Sequence, residues 1–268
     1  MPRLPAVVRA THPVPAAAVT ALAGAVVVAR GAEAGAAVLA TASTLAGQLS
    51  VGWSNDYLDR HKDAGRADKP IPTGQVSPTA VWWAATLAFP TCLLLSAPLG
   101  LPEVSVMAAA VGSAWAYNLG LERTVLSWMP YAVSFGLAPV YLWLAAGDGL
   151  PEGWVVAGAA LLGVAGHLTN VLPDLEADRA RGSRGLPQRL GPRASLILAA
   201  LCLAATVMLV LSFGPEARAA TLVAAAVAGA LIVAVVAAGA SGRGRPAFLL
   251  TIAAAGAVVA AFLLAGPR

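Results

Sequence analysis

LATASTLAGQLSVGWSNDYLDRHKDAGRADKPIPTG, residues 39–74, changes character at its middle. From Leu39 to Ser54 no side chain is ionisable. From Asn55 to Gly74 there are four aspartates and four lysines or arginines. After Gly74 the chain soon turns apolar again. A change this abrupt is expected where a helix leaves hydrocarbon for the head-group layer, because charge is costly inside the bilayer and cheap at its edge.

The rest of the sequence fits that beginning. Of the 268 residues, 59% are hydrophobic and 11% charged, and the mean hydropathy is +0.76. A water-soluble domain carries roughly a quarter charged residues. The expected fold is therefore all-α, a polytopic membrane bundle of about nine transmembrane helices, in one domain over residues 1–268. Apolar stretches of about 20 residues fall near 14–30, 34–56, 79–98, 102–118, 126–146, 152–173, 193–212, 218–240 and 246–265. Turn signals separate several of them, among them Arg30-Gly-Ala-Glu, Gly147-Asp-Gly-Leu-Pro and Phe213-Gly-Pro-Glu. Arg3 and Arg9 precede the first stretch, and this lead-in reads as an interfacial segment. Cys92 and Cys202 lie inside apolar runs and read as small buried hydrophobes. A net charge of +4 gives no reason to expect nucleic acid, since the cations sit in loops.

Those cations also set an orientation. In a nine-span arrangement Arg3, Arg9, Arg60, Lys62, Arg66, Lys69, Arg123, Arg179, Arg181, Arg184, Arg189, Arg193, Arg243 and Arg245 share one side. Only Arg30, Arg218 and Arg268 take the other. The positive-inside rule makes the first side cytoplasmic, with the N-terminus inside and the C-terminus outside. The membrane is the plasma membrane if the source is prokaryotic.

Asn55, Asp59 and Asp63 stand at i, i+4, i+8. On a continued helix they share one face, about 6 Å apart per step, and Asp56 points roughly 100° away. Asn170, Asp174 and Asp178, in NVLPDLEAD, repeat the spacing at the end of the sixth span, on the same side. Stacked carboxylates repel, and low dielectric sharpens the repulsion. A hard cation relieves it. Oxygen donors without soft ligands favour Mg²⁺, commonly shared with phosphate oxygens. Two such ladders facing each other would hold a diphosphate between metal ions, with Arg66, Lys69 and Arg123 meeting its oxygens. Each of these three cations also reads as a topology signal.

The pattern resembles the UbiA superfamily of intramembrane prenyltransferases. Its first signature is matched by Asn55-Asp56-Tyr-Leu-Asp59-Arg-His-Lys-Asp63 with Arg66-Ala-Asp-Lys69-Pro-Ile-Pro-Thr-Gly74, and its second by Asp174-Leu-Glu-Ala-Asp178. Arg184-Gly-Leu-Pro-Gln-Arg-Leu-Gly191 is similar to a stretch of quinone-pathway members. Tyr117-Asn-Leu-Gly-Leu-Glu122-Arg123 corresponds to a family tyrosine followed by a Leu-Lys-Arg-like stretch, with Glu122 where a lysine is expected. The resemblance implies Mg²⁺-dependent ionisation of a prenyl diphosphate and transfer of the prenyl group to an aromatic or quinone-precursor acceptor within the bilayer. It implies Asn55, Asp59, Asp63, Asn170, Asp174 and Asp178 as metal ligands, and Arg66, Lys69 and Arg123 as diphosphate contacts. Asp59, Asp63, Asp174, Asp178 and Tyr117 are the catalytic set. Tyr117 either steadies the allylic cation through its ring or is an interfacial tyrosine. Asp56 either bonds a neighbouring group or is a helix-end charge.

His61 is off the ladder face and reads as solvated. His167 is either a satisfied core histidine or a group that orients the acceptor. The seven tryptophans lie near span ends, where an aromatic belt explains them. A terpene cyclase of the same superfamily, acting without an acceptor, uses the same motifs. A transporter places ionisable groups near the midplane, whereas these spans are nearly free of acids until their cytoplasmic ends.

Overall fold

The computed structural model describes residues 5–180, 182–214 and 219–265. Arg3, Arg181, Arg218 and Arg268, counted above for orientation, lie outside the described residues, as do Pro215 and Glu216 of one turn signal. All the regular structure described is helical. The helices are α1 (Ala6–Arg9), α2 (Pro13–Ala29), α3 (Ala34–Leu58), α4 (Pro78–Ser96), α5 (Leu101–Asn118), α6 (Met129–Ala146), α7 (Gly153–Val171), α8 (Leu175–Ala180), α9 (Leu186–Leu190), α10 (Pro192–Phe213), α11 (Ala219–Ala240) and α12 (Gly244–Ala265), with a 3₁₀ turn at Leu121–Arg123.

Each of the nine apolar segments is thus a helix. Seven are long and apolar enough to cross a membrane. Of the other two, α2 is apolar but shorter, and α5 carries the acidic Glu103 in its first turn. Proline opens α2, α4, α5 and α10 in the first or second position, where its missing N–H costs nothing and its fixed φ suits a helix. The short helices α1, α8 and α9 were not expected from the apolar pattern, because none is long enough to have one.

The chain forms two compact units. The first holds residues 1–119 and 141–149, the second residues 120–140 and 150–268. In the first unit α3 packs against α2, α4 and α5. Its buried face is a stripe of small residues: Ala37, Ala40, Ser43, Ala46, Gly47, Ser50 and Ser54. Small residues let helix backbones approach closely in lipid. A Cβ at Gly47 would lie 2.9 Å from a Val111 methyl. The serines close the remaining polar gaps: Ser43 donates to the Cys92 carbonyl at 2.7 Å and Ser50 to the Ala85 carbonyl at 2.8 Å, both on α4.

In the second unit α7 packs on α10 and α12, and α11 on α12. Ala165, Leu168, Ala199, Cys202, Leu203 and Ala254 form one buried cluster. Both cysteines are buried and unbridged, as expected. The tryptophans lie near helix ends, and several also pack against neighbours. Trp143 is 7% exposed and lies under the Arg30 guanidinium. Trp82 packs against Tyr57 and Trp115, and Trp115 donates to Ser50.

Candidate active site

In the first unit α3 ends at Leu58 with Asp59 as its C-cap, and residues 59–65 form turns. Asp59 donates its N–H to the Asn55 carbonyl at 2.9 Å, and Asp63 donates to the Asp59 carbonyl at 2.8 Å. Only Asn55 lies within α3; Asp59 caps it and Asp63 follows in the turns, joined by these two i to i−4 bonds. The Asn55 amide nitrogen lies 3.5 Å from an Asp59 carboxylate oxygen and 3.3 Å from the Asn118 amide oxygen.

The cations of the following loop fold back onto this cluster. The Lys69 ammonium lies 2.8 Å from Asp56 and 3.2 Å from Asp63. Arg66 reaches Asp68 at 2.9 Å and Asp63 at 3.6 Å, and Lys62 stands 3.8 Å from Asp59. Burial alone would lower the Lys69 pKa, but the charges and hydrogen bonds of Asp56 and Asp63 outweigh it and hold the ammonium above its ordinary value. The hydrogen bond from Arg66 holds Asp68 below the usual carboxylate range. Asp56 is the most buried carboxylate of the cluster, 2% exposed, and its second oxygen has no hydrogen-bond partner. It is a partner of Lys69 and no mere helix-end charge.

Two participants escaped the sequence reading. His12, just ahead of α2, places Nε2 3.1 Å from the Asn55 carbonyl oxygen. The residue is exposed. Asn118, at the end of α5, joins the same chain of amides. A polar residue abutting the first apolar stretch was the available signal for His12. Tyr117 is half-buried in the last turn of α5.

In the second unit the spacing of Asn170, Asp174 and Asp178 is not one continuous helix. α7 ends at Val171 and α8 begins at Leu175. Pro173 lies between them and has no N–H to continue the ladder. Asp174 heads α8, its carbonyl accepting the Asp178 N–H at 2.8 Å. Asn170 and Asp174 are exposed, whereas Asp178 is buried and accepts a bond from Gln188 at 3.4 Å. The Asn170 side chain bonds the Tyr131 hydroxyl.

His167 is buried, with Nε2 3.0 Å from the Ser127 hydroxyl, which also accepts the Leu186 N–H. Glu122 has a nearly buried side chain 3.5 Å from Arg123, whose own side chain is two-thirds exposed (67%). The carboxylate in the lysine's place is thus paired with its neighbour, and Arg123 presents a charge to solvent.

Among the described residues no three histidine, cysteine or acidic side chains gather at one point. A cage made wholly of protein carboxylates is therefore not what either unit offers alone. The first unit instead offers the Asn55 amide oxygen, the Asp59 carboxylate one helical turn on, and the buried Asp63. This donor set fits Mg²⁺, which takes one or two carboxylates and fills its octahedron with water and substrate phosphate.

Residues 17–251 match the UbiA prenyltransferase family. The digeranylgeranylglyceryl phosphate synthase of Methanothrix thermoacetophila is 31% identical over 58% of this chain and 59% of its own length. The bacteriochlorophyll synthase 33 kDa chain of Cereibacter sphaeroides is 32% identical over 63% of this chain and 60% of its own. The matches thus span about three-fifths of these relatives. Among solved structures, the apo UbiA homologue from Aeropyrum pernix K1 superposes with a TM-score of 0.73 at 18% identity, covering 93% of this chain and 97% of the other. The UbiA homologue from Archaeoglobus fulgidus bound to DMAPP and Mg²⁺ gives 0.65 at 19% identity, over 94% and 98%.

Proposed function

Because the chain belongs to the UbiA prenyltransferase family, we propose that it transfers a prenyl group from an isoprenoid diphosphate to an aromatic or quinone-precursor acceptor within the membrane. The observation that carries the reading is the set of Asn55, Asp59 and Asp63, linked by successive i to i−4 backbone bonds at the charged end of an apolar helix. That prenyl diphosphate and Mg²⁺ occupy a relative of the same fold supports it. The likeness of Arg184–Gly191 to quinone-pathway members supports the acceptor class. The names of the curated relatives favour a second acceptor class, a glyceryl phosphate lipid.

In this reading residues 1–268 work as one catalytic domain, and Asn55, Asp59, Asp63, Asn170, Asp174 and Asp178 are the metal ligands. When bound, Mg²⁺ supplies Lewis-acid stabilisation of the departing diphosphate. Arg66, Lys69 and Arg123 bind diphosphate oxygens by charge-assisted hydrogen bonds. The apolar helices exclude water, so the allylic cation survives to meet its acceptor, and the Tyr117 ring steadies it. The reacting end lies on the cytoplasmic side, as the cation distribution requires.

The test is product analysis by mass spectrometry. The purified protein is supplied with geranyl, farnesyl or geranylgeranyl diphosphate, Mg²⁺, and either an aromatic acid or a glyceryl phosphate acceptor. Asp59→Asn and Asp174→Asn serve as controls and are expected to lower turnover at least a hundredfold, because each removes a charge where leaving-group charge develops. Cyclic hydrocarbon without any acceptor would replace transfer by cyclisation. Full turnover in excess EDTA, or in both variants, would sink the metal site.

A further inference from the structure

The amides around Asn55 can be oriented one after another from a single fixed point. The Val51 carbonyl can only accept, so the Asn118 group 3.1 Å from it is the NH₂. The same nitrogen donates to the Ser54 hydroxyl at 2.8 Å. The Asn118 oxygen therefore faces Asn55, and the Asn55 group 3.3 Å away is its NH₂. That leaves the Asn55 carbonyl oxygen facing His12, and Nε2 at 3.1 Å must carry the proton. From this we propose that His12 is a positioning residue for the metal site: its Nε2–H holds the carbonyl oxygen of Asn55 in the orientation in which that oxygen serves as a ligand. The inference rests on the metal-site reading above.

The fold goes to some length to bring His12 there. Its backbone is left-handed, φ 53°, the one non-glycine among the described residues with positive φ. Proline follows, so the segment cannot relax into α2. Residues 5–12 are pinned along the end of α3. Trp53 donates its indole N–H to the Val7 carbonyl at 2.9 Å, and Arg9 bonds Gln75 in the loop beyond the acids. At Gly52 a Cβ would overlap the Thr11 backbone, with the Thr11 carbonyl carbon 2.7 Å away. Only glycine allows so close an approach. An asparagine oxygen has two lone pairs, so one can accept from His12 while the other remains for a cation. Partners of this kind, which bond a ligand without touching the metal, typically govern affinity by 10–100-fold.

Metal binding itself provides the test. Purified protein is titrated with Mn²⁺ in the presence of inorganic pyrophosphate, and bound ion is read by electron paramagnetic resonance. Wild type, His12→Ala, His12→Gln and Asp59→Asn are compared, and each is melted without metal. We expect His12→Ala to weaken Mn²⁺ binding about tenfold or more. His12→Gln, whose amide can donate from a similar reach, should stay within about threefold of wild type, and metal-free melting should be similar for both. Equal affinity in His12→Ala and wild type would overturn the proposal while leaving the prenyl-transfer reading intact. So would equal loss in both variants accompanied by equally lowered melting, since His12 would then only anchor the segment. No Mn²⁺ binding by wild type, with pyrophosphate present, would overturn the metal site and this proposal with it.

Discussion

Lys69→Met tests whether the loop lysine is primarily a ligand for substrate or a clamp for the cluster. Its ammonium lies 2.8 Å from Asp56 and 3.2 Å from Asp63. The three side chains are only 12%, 2% and 6% exposed. At an effective dielectric near 20, an ion pair at about 3 Å is worth roughly 5 kcal/mol before desolvation. Removing one partner of such a pair typically costs 3–5 kcal/mol, because a buried charge is left uncompensated. Methionine keeps the length of the chain, so packing loss adds little, and the partial exposure of Lys69 argues for the lower end. About 3 kcal/mol should lower the melting midpoint of the detergent-solubilised, ligand-free protein by roughly 6–12 °C. Adding Asp56→Asn should return much of that loss, since one stranded carboxylate is then neutral. The pH dependence has a definite sign. Lys69 is raised above the ordinary 10.5, so its contribution is complete below that pH and fades as the pH climbs through the raised value. The wild type should lose stability there and Lys69→Met should not. If Lys69→Met melted with the wild type and lost only affinity for the prenyl diphosphate, the clamp would be refuted.

Two further expectations follow from the fold. Single cysteines at Ser77 and Ser183 should be labelled from the cytoplasmic side only, and one at Gly149 from outside only; labelling of Ser77 and Gly149 from one side would break the assumed orientation. Gly163→Ala should cost about 1–3 kcal/mol, because the added methyl would lie 2.5 Å from the Tyr131 carbonyl oxygen and 2.7 Å from the Phe135 Cβ, and an unchanged melting midpoint would show that α6 and α7 can part freely.

What could be read from the chain alone depended on how local the cause was. The long helices were legible because lipid demands about 20 apolar residues in a row. The first ladder was legible only in part: i+4 spacing is a property of one helix, but α3 ends at Leu58 and Asp63 lies in the turns beyond it. The second was over-read: Asn170, Asp174 and Asp178 have the spacing, but Pro173 forbids the helix, and that proline stood in plain view. The pairing of Asp56 with Lys69 joins residues 13 apart through a loop whose path no periodicity sets. His12 meeting Asn55 is a tertiary contact across 43 residues; a polar residue beside the first apolar stretch pointed to His12, but nothing pointed to the pairing. Glu122 was visible as a departure from the expected lysine, but its pairing with Arg123 required the shape of the 3₁₀ turn.

The close approach at Gly52 has a consequence for descent. A methyl group gained at that position would push the Thr11 backbone away and withdraw His12 from Asn55 in the same step. The two sites, 40 residues apart and without a side-chain contact, are therefore bound to a common fate. Among relatives, lineages that acquire any side chain at 52 should also be those in which position 12 drifts away from histidine, while lineages that keep the glycine keep the imidazole.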